Sequence, residues 1–177
     1  MPGPVTTTLM PTGADSELEM IERPMAYQLV SLREQPQHLA TIAGWIHGQW
    51  WSTTDTAVQA IEQWLASHLG EAGFPTTIVA VAAGEPVASV ALHETEAEDR
   101  PAYRPYLGAL FVRPDYRSHG LGVALVRAVE AEAQMLGHPA LYLNAADRLV
   151  PFYEAIGWRV VERAYGPKQL NIMDRRI

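Results

Sequence analysis

A glycine-rich loop in the middle of the chain carries the clearest chemical signal of the sequence. Its pattern is Arg117-x-x-Gly120-x-Gly122. Glycine lacks a Cβ, so the backbone of this loop can approach a ligand closely. The helix predicted to begin within the loop directs its unpaired N–H groups and the positive end of its dipole toward the same point. The sequence therefore predicts an anion site, and a pyrophosphate is the expected ligand.

The segments around this loop alternate between helical and strand patterns, in the order β-α-α-β-β-β-α-β-α-β-β. The Gly84-Glu85 step is expected to form the turn of a hairpin. A cap at Thr54 or Asp55 is expected to begin the second helix, and the last two strands are expected to pair. Strands are predicted over 26–32, 76–83, 86–92, 106–113, 140–144, 158–163 and 168–173, and helices over 39–50, 54–69, 120–136 and 147–156.

Length and composition favour one ordinary globular domain. The chain has 177 residues, 48% hydrophobic and 19% charged, and we expect a single domain over 24–177 after a mobile arm over 1–23. It contains no cysteine, which excludes disulfides, thiolate metal sites and cysteine nucleophiles, and no metal site is predicted. A formal net charge of −7 argues against nucleic acid as the main partner. No apolar run is long enough for a membrane span and no secretory signal is present, so a cytoplasmic location without a membrane partner is expected.

Two motifs in this order of elements resemble the GCN5-related N-acetyltransferase (GNAT) superfamily. The first is Leu110–Gly122, which is similar to the family's strand and pyrophosphate loop. The second is Leu141–Asn144 followed by Phe152–Gly157, which is similar to its next strand and short helix. The resemblance covers roughly 26–177 and implies an α+β fold with α/β/α layers. Its central sheet would be mixed and mostly antiparallel, with the fourth and fifth strands splayed apart.

The resemblance also implies acetyl-CoA as cosubstrate. Main-chain N–H groups over 118–123 would bind the pyrophosphate, with Arg117 at the edge. The arm of coenzyme A would fill the gap between the splayed strands, and an N–H near Leu110 or Phe111 would face the thioester oxygen. His119 could instead be an exposed filler, and Asn144 a polar residue at a strand end. The residues expected to contact the cosubstrate are Leu110, Phe111, Val112, Arg117, Ser118, His119, Gly120, Leu121, Gly122, Val123, Asn144, Phe152 and Tyr153.

Acid and base chemistry is expected on the other side of the thioester. Tyr153 occupies the position that the family uses for the acid that protonates the departing thiolate, although a tyrosine could also simply pack in the core. The family has no invariant base, so none can be carried over. His93 and Glu94 end the third strand and are candidate bases, and a chain of water molecules could serve instead.

The acyl acceptor is expected to be a small-molecule amine. The loop over 94–99 holds four acids and could attract a cation, or could simply be a solvated loop. Trp45, Trp50 and Trp51 could wall an amine pocket or be core or subunit contacts, and Trp64 is expected to be exposed or interfacial.

The favoured function is therefore transfer of the acetyl group of acetyl-CoA to the primary amine of a small cationic metabolite or drug-like molecule, by direct attack. A protein or peptide N-acetyltransferase and a non-catalytic acyl-CoA sensor are the alternatives. A dinucleotide-binding βαβ domain is disfavoured, because only two of the three glycines of its pattern are present. A homodimer formed through the last strands is possible.

Overall fold

The computed structural model of the protein describes residues 26–177, so the arm expected over 1–23 lies outside the described residues. Seven strands form a single sheet in the order β1-β2-β3-β4-β5-β7-β6. No helix in the described part of the chain is both long and apolar enough to cross a membrane. The strands are β1 Gln28–Ser31, β2 Thr76–Ala82, β3 Glu85–His93, β4 Tyr106–Val112, β5 Ala140–Ala145, β6 Arg159–Tyr165 and β7 Leu170–Arg176.

Helices cover both faces of this sheet. Side chains alternate across a strand, and β2 shows the division clearly. Val79 and Val81 pack into the core under α1 and α2, whereas Ala80 and Ala82 pack into the larger core under α3 and α4. The expected α/β/α layers and the mixed, mostly antiparallel sheet are confirmed. The helices are α1 Leu39–Ile46, α2 Val58–Ala66, α3 Leu121–Met135 and α4 Val150–Ala155.

The expected splay between β4 and β5 is present. The two strands run parallel and pair at Tyr106 and Tyr142, where the Tyr142 N–H donates to the Pro105 carbonyl at 3.0 Å. Beyond this point each strand stays paired on its other side, β4 with β3 and β5 with β7 along its whole length. The facing edges of residues 107–112 and 143–145 therefore open onto a gap in the sheet.

A bulge bends β4 where it borders this gap. Ser89 on β3 pairs with Phe111, and Ala91 pairs with Gly108, so one β3 residue stands opposite two residues of β4. Ala109 takes up the extra length with a φ of 49°, which is uncommon for a residue with a Cβ. The bulge re-aims the main chain of Ala109 and Leu110 at the point where the strands part.

Two turns differ from the sequence prediction. The Thr54 hydroxyl donates to the Trp51 carbonyl at 2.8 Å and accepts from the Thr56 N–H at 3.2 Å, so it stabilises a turn and does not cap α2. The first helix also differs from the prediction, because the α-helix ends at Ile46 and the chain continues as a π-helical turn, His47–Trp51. The hairpin turn is Ala83-Gly84, one residue earlier than expected, because both residues adopt positive φ, 51° and 82°.

Candidate functional site

A cleft of about 740 Å³ opens at the splay between β4 and β5. Its inner half, as we call it, is lined by Leu107–Leu110 of β4 and by Leu143 and Asn144 of β5. Its outer half is lined by the segment joining α1 to α2, by the β3–β4 loop, by α2, by the β5–α4 connection and by the β6–β7 turn.

The glycine-rich loop adjoins the far end of the gap. Ser118 and Gly120 both have positive φ, 64° and 76°, and α3 begins at the next residue. The Ala124 N–H donates to the Gly120 carbonyl at 3.0 Å, which is the first bond of the helix. The N–H groups over 121–123 therefore have no acceptor in a preceding helical turn, which is the feature on which the predicted anion site depends.

The arginines around this loop have different surroundings. Arg117 donates from Nε to the Val112 carbonyl at 2.9 Å, which ties the loop to the end of β4. Arg113 forms two bonds with the Asp115 carboxylate, at 3.1 and 2.6 Å, so its charge is already paired. Arg148 lies on the β5–α4 connection and lines the outer half of the cleft.

The remaining residues expected to contact the cosubstrate lie in different surroundings. Leu110 and Asn144 line the cleft. Phe111 instead stacks on Trp45, with 5.1 Å between ring centroids, so its main chain alone remains available to the gap. Phe152 lies beside the start of α3, where a Cβ added at Gly122 would meet its Cζ at 3.8 Å. The exposed residues of the loop are Arg117, Ser118, His119 and Gly120; Leu121 is buried and Val123 half-buried.

Tyr153 is held by α4 with its side chain in the core and lines the cleft. Its ring packs edge-on against Phe152 and Trp158, with centroid separations of 4.9 and 6.0 Å. Burial raises the pKa of the hydroxyl to about 12, and the negative charge of Glu96 adds to the effect. A phenol with this pKa keeps its proton at neutral pH and can donate it.

A cluster of polar side chains crosses the floor of the cleft. His93 Nε2 lies 3.2 Å from Glu96 Oε1, and Asn144 Nδ2 donates to Glu96 Oε2 at 3.2 Å. The cluster rests directly on Gly108, where an added Cβ would collide with Glu96 Oε1 and lie 2.6 Å from His93 Nε2. A glycine on β4 is therefore required for this arrangement.

Sequence reasoning singled out Glu94 and did not single out Glu96. Glu94 lies at the surface, where it pairs with Arg104 at 3.1 Å, and it does not line the cleft. Glu96 follows His93 by three residues, and that spacing across a tight turn is the signal that could have identified it. The other acids of this loop also lie outside the cleft; Asp99, for example, pairs with Arg100 at 2.6 Å.

Aromatic side chains form much of the outer half. It is lined by Trp50, Trp51 and Trp64, while Trp45 stacks elsewhere. Trp64 is half-buried and not exposed. The Lys168 ammonium lies 5.1 Å above the Trp51 ring, which joins the β6–β7 turn to the end of the π-helical turn. Trp64 packs edge-on against His93, with 5.4 Å between centroids.

A second histidine lies behind this wall. His68 packs edge-on against Trp64, with 4.4 Å between ring centroids, and its Nδ1 lies 2.7 Å from the Thr77 hydroxyl. Burial lowers the pKa of His68 to about 4, with a smaller contribution from the charge of His93. His68 is therefore neutral at physiological pH and serves as a packing partner of Trp64.

Comparison with known proteins gives a consistent picture of the chain. Residues 51–172 match the model of the acetyltransferase (GNAT) domain family. An uncharacterized N-acetyltransferase of Schizosaccharomyces pombe is 29% identical over 133 residues, which cover 70% of this chain and 77% of that protein.

Solved structures share the fold at low sequence identity. ElaA of Escherichia coli superposes with a TM-score of 0.62 at 17% identity, over 85% of this chain and 99% of its own. The yncA protein of Salmonella typhimurium, solved with its cofactor acetyl-CoA, gives 0.67 at 13% identity, over 85% and 94%. Naa50 of Arabidopsis thaliana, solved with the bisubstrate analogue CoA-Ac-MVNAL, gives 0.61 at 16% identity, over 85% and 99%.

Proposed function

This chain belongs to the GNAT family of acetyltransferases, and from that premise we propose that it transfers the acetyl group of acetyl-CoA to the primary amine of a small cationic molecule. The observation that carries the proposal is the gap between β4 and β5, which runs from the cleft toward the glycine-rich loop. A long thioester cosubstrate needs an anion site at one end and a reaction chamber at the other, and the gap connects the two.

Main-chain groups bind the cosubstrate in this proposal. The free N–H groups over 121–123, together with those of Ser118 to Gly120, receive the pyrophosphate. The amide-bearing arm pairs with the open edges of β4 and β5 in place of a strand. The bulge supports a further role, because it re-aims the N–H near Leu110 toward the gap, where it can stabilise the oxyanion of a tetrahedral intermediate.

Side chains supply the proton transfers. The substrate ammonium loses a proton to the pair formed by His93 and Glu96, and the neutral nitrogen attacks the thioester carbonyl carbon. The nitrogen of the intermediate gives its excess proton to solvent and the C–S bond breaks. The thiolate takes the proton of the Tyr153 hydroxyl, which the solvent returns. Ammonium and acetyl-CoA are consumed, and amide, free thiol and one proton are formed. This assignment replaces Glu94 with Glu96 as the acidic partner.

A peptide N-terminus is the second candidate acceptor. The fold likeness to Naa50, whose bound analogue joins coenzyme A to the peptide MVNAL, supports including it. The test is release of CoA thiol from acetyl-CoA over a panel of small amines and short peptides, with the acetylated product identified by mass spectrometry. Acetylation of a small amine supports the proposal. Preference for peptides would favour the second candidate, and tight acetyl-CoA binding with no acetylated product would indicate a sensor.

A further inference from the structure

The charges that line the cleft are unevenly distributed. Among residues 26–177, four side chains with ionisable groups other than tyrosine line the cleft: Glu96, His93, Arg148 and Lys168. Glu96 touches Gly108 of β4 and Asn144 of β5, which places its carboxylate beside the reaction chamber. Among the described residues, Glu96 is the one carboxylate that lines the cleft, and Arg148 and Lys168 line it from other segments of the chain.

The Lys168 ammonium, on an exposed side chain, lies over an aromatic ring. Lys168 projects from the turn between β6 and β7, and its ammonium lies 5.1 Å above the ring of Trp51. That ring face would otherwise be available to a substrate cation, because cations bind over indole rings. Lys168 already occupies it, so a second ammonium on the substrate meets a like charge there instead of a π face.

Most of the remaining outer wall is apolar, and its polar members, Gln49, Thr56 and Thr95, are uncharged. Its apolar side chains, none of which has a carboxylate, are those of Trp50, Trp64, Ile61, Leu149 and Leu170. Burying an apolar body against these side chains is favourable in proportion to the area removed from water. Burying a second charged group there without a partner is unfavourable.

We infer that the acceptor is a monoamine with an apolar body, and that Lys168 excludes amines with a second positive charge. The inference rests on the proposed function and narrows its substrate class. The ammonium lies on Glu96 at the floor, and the body packs against Trp50 and Trp64. The field of the acidic β3–β4 loop does not reverse this preference, because Glu94 and Asp99 are paired with Arg104 and Arg100 outside the cleft.

A matched pair of substrates tests the inference. Hexylamine and 1,6-diaminohexane have the same chain length and differ by one terminal ammonium. We expect kcat/KM for hexylamine to exceed that for the diamine by about 10-fold or more, since a tenfold ratio needs only a small difference in binding free energy. 2-Phenylethylamine should be accepted as well as hexylamine or better.

Variants at Lys168 make the test specific. Lys168→Gln should reduce the preference for hexylamine, and Lys168→Glu should reverse it. Arg163→Glu, on exposed β6 of the same hairpin and not among the cleft-lining residues, makes the same change in charge and should leave the ratio as in the wild type. Thermal unfolding of each variant confirms folding, and Lys168→Gln serves where Lys168→Glu does not fold.

The outcomes separate the inference from the proposed function. Equal use of the diamine and hexylamine by the wild type, or an unchanged ratio in both Lys168 variants, overturns the inference and leaves the acetyltransferase intact. Acetyl-CoA binding without acetylation of any amine overturns the proposed function and the inference together.

Discussion

The inner and outer halves of the cleft are built from different kinds of groups. The inner half exposes main-chain edges of β4 and β5, adjoins the glycine-rich loop, and has largely apolar side chains. The outer half uses side chains from segments far apart in the chain, with Trp50 after α1, Glu96 after β3 and Lys168 before β7. Substitutions can therefore change the acceptor without disturbing the thioester site, and the two halves should respond to different mutations.

The largest effect is expected from a substitution in the glycine-rich loop, which should weaken acetyl-CoA binding and leave the outer half unchanged. Gly120→Val places a β-branched residue at a φ of 76° and disturbs the N–H groups that begin α3. Hydrogen bonds to charged groups are worth about 1.5–3 kcal/mol each, so loss of two weakens acetyl-CoA binding by about 1000-fold. Isothermal titration calorimetry measures the change in Kd.

The opposite end of the same helix provides the control. Gly137 has a φ of 82° and, like Gly120, has open space around its Cβ position. Gly137→Val should lower the Tm by a similar amount through backbone strain and leave the Kd of acetyl-CoA unchanged. Retained binding in Gly120→Val, or equal loss in both variants, would count against the loop as the anion site.

A smaller effect, confined to the chemical step, is expected at Tyr153. Tyr153→Phe removes the proton donor and keeps the buried ring, so kcat should fall by about 100-fold while the Kd of acetyl-CoA stays the same. Tyr27→Phe, at an exposed residue just before β1, is the matched control and should behave as the wild type. Unchanged kcat, with chemistry rate-limiting, would remove Tyr153 from the mechanism.

The pH profile sharpens the same prediction. Burial raises the pKa of Tyr153 to about 12, so the acid form persists throughout the neutral range. The kcat of the wild type should therefore show no fall on the alkaline side up to about pH 10. A fall centred near neutral pH that disappears in Tyr153→Phe would contradict this assignment of the pKa.

A smaller effect is expected from one methyl group added on β4 beneath His93 and Glu96. Gly108→Ala would place a Cβ where His93 and Glu96 now lie, so the pair must move. We expect kcat/KM for the amine to fall by about 10-fold, with little change in acetyl-CoA affinity. Gly44→Ala, in α1 with nothing within 4 Å of the new Cβ, is the control and should retain full activity. Equal activities of the two variants would show that the pair has no role in amine activation.

The smallest expected effect concerns the packing behind the outer wall. The pKa of His68 is about 4 in the folded protein, against the ordinary histidine value of 6.5 that applies to the unfolded chain. The unfolded chain therefore binds more protons between these values, and the free energy of unfolding should fall as pH drops from 6.5 to 4. The loss is at most about 3 kcal/mol.

Urea unfolding between pH 4 and pH 7 measures this slope. His68→Gln keeps a group that can bond to Thr77 and cannot titrate, so its free energy of unfolding should depend less steeply on pH. His119→Gln, at an exposed loop position, is the control and should keep the wild-type slope. Identical slopes in all three proteins would show that His68 does not carry the effect.

The contrast between the halves also explains what the sequence could predict. The loop, β4 and α3 follow from local spacing of glycines and apolar residues, so their positions were predictable. The role of Glu96 was not, because the β3–β4 connection has no period. Its course is set by distant contacts, such as Arg100 bonding to Glu162, 62 residues further along the chain. The place of Trp64 in the cleft wall could not be predicted for the same reason, since that wall is assembled from several segments.

The single residue pair between β4 and β5 has a mechanical consequence. Strands β1 to β4 and strands β5 to β7 form two half-sheets, and within residues 26–177 Tyr106 and Tyr142 are the one place where the ladder joins them. A ligand that hydrogen-bonds to the free edges of both β4 and β5 would link the two half-sheets into one cooperative unit. Amide hydrogen exchange should then slow along Leu107–Val112 and Leu143–Ala145 when acetyl-CoA is added, and the two half-sheets should unfold together.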